Sequence, residues 1–221
     1  MSKLIPKYLG IVRRRTNAQL LSWQGFNVIK YSAAIIIAIL MARYVSAIET
    51  ITTYETIILA TSTLSFFYVS GLGQTILPFF EKQEINKKET VFKNLFHILG
   101  FFGILSALLL FTYGYVYKNE TVHLYAIFAV GVIFNIPSLS YENYLLAHKK
   151  HIQLFTWGIS TYLIQVPALL IPVFFFSSIE GGLIGLAIVY LGKFIFAAIK
   201  LNVFSKYKLD VPQIKTYLKF S

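Results

Sequence analysis

Cysteine is absent from this 221-residue chain, which removes disulfides, thiol nucleophiles and thiolate metal sites. Acidic residues are scarce: nine Asp and Glu stand against twenty Lys and Arg, and only Glu142 falls well inside an apolar stretch. The four histidines, His97, His123, His148 and His151, are scattered over loops and helix ends. His148 and His151 flank Lys149 and Lys150, whose positive charge disfavours a metal there. Neither a Ser–His–Asp arrangement, nor paired carboxylates, nor a zinc-binding helix motif is found. Ser70-Gly71-Leu72-Gly73-Gln74 is no phosphate loop, because no strand precedes it and no lysine–serine pair follows. We therefore expect no enzyme, no metal and no cofactor. Charge of either sign is limited too: 13% of residues are charged and 57% hydrophobic, too apolar a balance for a soluble domain.

Six long apolar stretches are present instead, approximately residues 19–42, 54–80, 95–117, 124–147, 152–176 and 182–204. Each is long enough for a helix to cross a hydrocarbon core of ~30 Å, which takes about 20 residues. Barrel strands would be about 10 residues long and alternate in polarity, so strands are excluded. The expected fold class is all-α, a polytopic membrane protein of six transmembrane helices. A basic segment (1–18), the six-helix lobe (19–204) and a polar, basic tail (205–221) make up the domains. The apolar run of the first span is longer than a signal-peptide core and holds Gln24, Asn27 and Lys30, so it reads as a retained helix.

Orientation follows from the excess of basic residues on alternate loops. Sixteen lie in the N-terminal segment, after the second span, after the fourth and in the tail, whereas the opposite loops hold only Arg43 and Lys118. Both termini are therefore expected in the cytoplasm. The formal net charge of +11 would suggest nucleic acid in a soluble protein. Beside spans, topology and anionic lipid headgroups account for it, and no nucleic-acid partner is expected. The longest connector, residues 81–94, is a charged mix and reads as a solvated cytoplasmic loop. Very short turns near residues 118–123 and 177–181 predict tight antiparallel hairpins. Asn119-Glu120-Thr121 matches a glycosylation sequon but lies too close to the membrane to serve as one. Leu4 to Val12 suggest a short interfacial helix with Arg13, Arg14 and Arg15 at the headgroups.

The polar residues inside the spans are the candidate functional residues, since a charge at membrane depth is costly unless paired or facing water. Lys30 sits about eleven residues, or ~16 Å, into the first span. Gln24, Asn27 and Tyr31 follow helical spacing beside it, which predicts one polar face. Lys193 lies at similar depth in the last span, so the two lysines predict a cationic cavity suited to an anionic ligand; the bland alternative is that both snorkel. Asn135, Ser138 and Glu142 share a face of the fourth span, with Pro137 loosening the helix. Glu142 lies about one turn from the cytoplasmic end, and pairing with Lys149 or Lys150 is the expected arrangement; a titratable site facing the cavity is the alternative. Gly158, Thr161 and Gln165 form a stripe on the fifth span, before Pro167 and Pro172. Close helix packing is expected at Gly181 and Gly185, within the fold rather than in a dimer, and at Gly71 and Gly73.

Taken together, several of these features resemble a known family. They are the basic arm before a first span with Gln24, Gly25 and Asn27, the second span ending in Ser70-Gly71-Leu72-Gly73-Gln74, and the fourth running from Pro137 through Tyr141 to Leu146-Ala147-His148-Lys149-Lys150. The chain looks like the polysaccharide exporters and O-antigen flippases of the multidrug/oligosaccharidyl-lipid/polysaccharide superfamily. That resemblance implies two six-helix lobes around a central cavity. It also implies alternating-access flipping of undecaprenyl-pyrophosphate-linked sugars across the bacterial cytoplasmic membrane. Lys30 matches the basic cavity residues that hold the pyrophosphate, and Lys193 matches them more weakly. The expected cavity set is Gln24, Asn27, Lys30, Tyr31, Asn135, Glu142, Gln165 and Lys193. The chain then reads as the N-terminal lobe, with its C-terminal lobe missing or supplied by a second copy, and membrane lipids around it. The alternatives are a multidrug or small-solute transporter of the same superfamily, or a non-transporting six-span scaffold.

Overall fold

A computed structural model describes residues 4–45, 48–84, 87–205 and 212–214, and their side chains except those of 4–23, 49, 67–68, 70, 74 and 119. No strand occurs among the described residues. The helices are α1 (Leu4–Tyr44), α2 (Ile48–Lys82), α3 (Lys88–Tyr117), α4 (Val122–Ala147), α5 (His151–Gly158), α6 (Ile164–Phe176) and α7 (Ile179–Lys200). A π-helical turn, Ile159–Leu163, joins α5 to α6, so the two form one rod. Among the described residues, five helices are long and apolar enough to cross a membrane, and six if the two arms of α2 count as one span. This is a multi-pass, all-helical membrane protein.

The outer surface agrees with that. Leu59, Phe101, Leu108, Phe175, Ile188 and Ile199 all point outward and are exposed. Such a belt is stable against lipid tails, whereas water would penalise it by about 25 cal/mol per Å².

Packing places α4 at the centre, with α3 along one side and α7 along the other; α7 also packs on α6, and α1 runs along α5, the π turn and α6. The short connections explain the antiparallel pairs. One 3₁₀ turn, Asn119–Thr121, links α3 to α4, and Ser177 in the left-handed region (φ 50°) starts the turn from α6 to α7. Ser178 then caps α7, its Oγ accepting from the Gly181 N–H at 3.0 Å. Both expected hairpins are present.

Gly185 has the expected packing role. A Cβ there would collide with the Ala168 carbonyl oxygen, so α6 and α7 approach backbone to backbone. Gly71 and Gly73 do not: a Cβ on either would meet nothing within 4 Å among the described residues. Gly71 instead opens the second arm of α2, which bends by 51° between Thr50–Phe66 and Gly71–Lys82. The absent side chain eases a bend here rather than a close approach. A separate interfacial helix at the N-terminus is likewise replaced by continuity, because α1 runs unbroken from Leu4 through the first span. Of the tail, Pro212, Gln213 and Ile214 are described; Gln213 is buried, and its Oε1 accepts from Thr90 Oγ1 at 3.2 Å.

Candidate functional site

The site forms where α4, α7, α1 and the π turn meet. Pro137 lacks the N–H that would bond one turn back, which loosens α4 at this level. The flanking serines turn inward to neighbouring carbonyls: Ser138 Oγ donates to Asn135 O and Ser140 Oγ to Pro137 O, both at 2.6 Å. Asn135 and Glu142, two turns apart on α4, are thereby presented to α7.

Lys193 of α7 reaches both. Its Nζ donates to Asn135 Oδ1 at 3.1 Å and lies 3.8 Å from Glu142 Oε1. Lys193 and Glu142 are buried, with 3% and 6% of their surface exposed. Tyr162, also buried, completes the cluster: its hydroxyl donates to Glu142 Oε1 at 2.8 Å, and its ring centre is 4.7 Å from Lys193 Nζ. A lone ammonium or carboxylate at this depth would cost several kcal/mol, about 2.5–3.5 on the insertion scale. Here each charge has an opposite charge and a hydrogen bond.

Lys30 arrives from the other side, and glycine contacts explain how. A Cβ on Gly158 would lie 2.8 Å from Phe26, so α1 and α5 touch there. One turn further along each helix stand Lys30 and Tyr162, so the two helices run parallel and bring that pair together. The Lys30 ammonium is 5.5 Å from the Tyr162 ring centre, and Phe26 meets the same ring edge-on at 5.8 Å. Lys30 is only partly buried, and no carboxylate lies within ion-pair range of it among the described residues.

Four of the eight expected residues are found together, in a different arrangement. Lys30, Lys193 and Glu142 converge on Tyr162, and Asn135 joins them through Lys193. The expected pairing of Glu142 with Lys149 or Lys150 does not occur. Lys150 donates to the Tyr144 hydroxyl at 3.1 Å, whereas Glu142 faces α7 and the π turn. Nor does α1 present a single polar face. Gln24 and Tyr31 are exposed and, with Asn27, Val28, Ser32 and Ile35, line an open furrow of about 560 Å³. Lys30 lies about 100–120° round the helix from Gln24 and Tyr31, so only Asn27, about 60° away, links furrow and lysine. Gln165 is half-buried, and its Nε2 has no hydrogen-bond partner among the described residues.

Tyr162 is the residue that sequence reasoning missed. It lies one position from Thr161 and three from Gln165, among apolar neighbours where a tyrosine reads as core. The π turn that places it leaves no composition signal, since Ile159-Ser160-Thr161-Tyr162-Leu163 suits an ordinary helix equally well. Among the described residues no three His, Asp or Glu side chains come together as a metal site. No family model, curated protein or solved structure matches this chain.

Proposed function

We propose that this chain is one six-span lobe of a transporter that flips or exports a lipid-linked oligosaccharide across the bacterial cytoplasmic membrane by alternating access. Both termini lie on the cytoplasmic side. A second lobe, from another segment or a second copy, faces the polar furrow of α1 and closes a central cavity.

The observation that carries this proposal is the asymmetry of the two lysines at Tyr162. Lys193 is buried and balanced by Glu142, whereas Lys30 is partly exposed with no carboxylate in range among the described residues. An ammonium at membrane depth needs a counter-charge or water. A diphosphate supplies the charge, through hydrogen bonds expected to be worth about 1.5–3 kcal/mol each. Gln24, Asn27, Tyr31 and Ser32 along the furrow offer amide and hydroxyl groups for the attached sugar.

The test is flipping of a pyrophosphate-linked oligosaccharide in proteoliposomes. Lys30→Arg keeps part of the activity, and Lys30→Ala loses most of it at equal reconstituted abundance. Equal flipping by the alanine variant would return Lys30 to a snorkelling role and sink the proposal.

A further inference from the structure

Where α2 ends, α3 begins and α4 turns into α5, aromatic rings from three helices form one continuous cluster. Phe80 of α2 lies 5.2 Å from Phe92 of α3 and 5.1 Å from His148 at the end of α4, centre to centre. His148 in turn lies 4.2 Å from Tyr144. The histidine is fixed in place: its Nδ1 is 2.9 Å from the Tyr144 carbonyl oxygen, which only accepts, so Nδ1 carries a proton.

Two ammonium groups are held against this cluster. Lys88 Nζ is 5.0 Å from the Phe80 ring centre. Lys150 Nζ is 4.9 Å from the Tyr144 ring centre while donating to its hydroxyl. The turn between α4 and α5 arranges the second contact. Lys149 adopts the left-handed region (φ 56°) and stays exposed, which directs the next residue back onto Tyr144. Neither Lys88 nor Lys150 forms an ion pair among the described residues. The nearby acids Glu81, Glu84 and Glu89 are exposed, and Glu84 is taken by Lys87 at 3.1 Å.

An aromatic floor with two fixed cations at the end of membrane-crossing helices suits a ligand that is apolar below and phosphate-bearing above. We propose that Lys88 and Lys150, held over Phe80 and Tyr144 with His148 between them, form a docking site for the headgroup of an anionic phospholipid. The site requires only that the helices cross a membrane, and it is independent of what the protein transports.

Nanodiscs of phosphatidylcholine, with and without phosphatidylglycerol, test this through native mass spectrometry of retained lipid. The wild-type chain retains phosphatidylglycerol. Lys88→Gln and Lys150→Gln each weaken retention about fivefold, and together about 25-fold, as expected for one ammonium per step near an anionic headgroup. The charge-matched control, Lys87→Gln with Lys200→Gln, stays within about threefold of wild type, since both ammonium groups are exposed and screened. Melting in pure phosphatidylcholine discs monitors folding, and the single variants carry the test if the double variant melts early. Equal losses in the two double variants would mean a diffuse charge effect, and unchanged retention in Lys88→Gln with Lys150→Gln would mean no site; either overturns the proposal. Displacement of phosphatidylglycerol by soluble glycerol phosphate would likewise overturn it, in favour of a free-phosphate site.

Discussion

Lys193 Nζ lies 3.8 Å from Glu142 Oε1, and the two side chains bury each other between α7 and α4. Buried pairs of this kind add little net stability, but removing one partner strands the other. Lys193→Ala or Glu142→Ala should therefore destabilise the protein by about 3–5 kcal/mol, read as unfolding in detergent micelles. Lys193→Met combined with Glu142→Gln should recover most of that loss, because the charges leave together and the introduced amide oxygen still accepts from the Tyr162 hydroxyl. A double variant as unstable as either single would show that the pair is not the coupled unit.

The same double variant separates the roles of the two lysines. With Lys193 neutralised by Glu142, Lys30 is the one of the two that keeps a charge for the proposed anionic substrate. Flipping should survive in Lys193→Met with Glu142→Gln and fall in Lys30→Ala. Loss of flipping in the double variant, at matched stability, would move the substrate cation from α1 to α7.

The extent to which the sequence foretold this site varies residue by residue. The six apolar stretches correspond to α1, α2, α3, α4, the α5–α6 rod and α7, because length and hydropathy are properties of a single helix. Asn135 and Glu142 share a helix face for the same reason. Partner choice belongs to two helices at once, and there the pattern misleads. Glu142 is close in sequence to Lys149 and Lys150, yet α7 and the π turn enclose it before those lysines reach it. Tyr162 was hidden because it sits in a π turn, which leaves no composition signal.

Tyr162→Phe isolates the hydroxyl. The ring that Lys30 and Lys193 approach is retained, while the 2.8 Å bond to Glu142 is lost. A hydrogen bond to a charged group contributes about 1.5–3 kcal/mol, so a destabilisation of that size is expected in the same micelle assay. A change below about 0.5 kcal/mol would mean that Lys193 satisfies Glu142 unaided.

Two glycines of α7 predict opposite outcomes. A Cβ on Gly185 would collide with the Ala168 carbonyl oxygen, a backbone atom that cannot rotate away. Gly185→Ala should push α6 from α7 and cost about 1–3 kcal/mol through overpacking. Gly192 meets nothing within 4 Å, and Gly192→Ala should be neutral or slightly stabilising by helix propensity. Similar melting of the two variants would contradict the close approach at Gly185.

The orientation can be read directly, because the chain carries no native cysteine to interfere. Lys87 and Lys149 are exposed at connections on the basic side, and Glu120 is exposed in the 3₁₀ turn between α3 and α4. The charge asymmetry predicts the first two in the cytoplasm and the third outside. In intact cells, cysteine at Glu120 should react with a membrane-impermeant maleimide, whereas cysteine at Lys87 or Lys149 should react only after permeabilisation. Labelling at Lys149 from outside would invert the bundle. It would also place the Lys88–Lys150 cluster in the outer leaflet, and with it the phospholipid that the cluster meets.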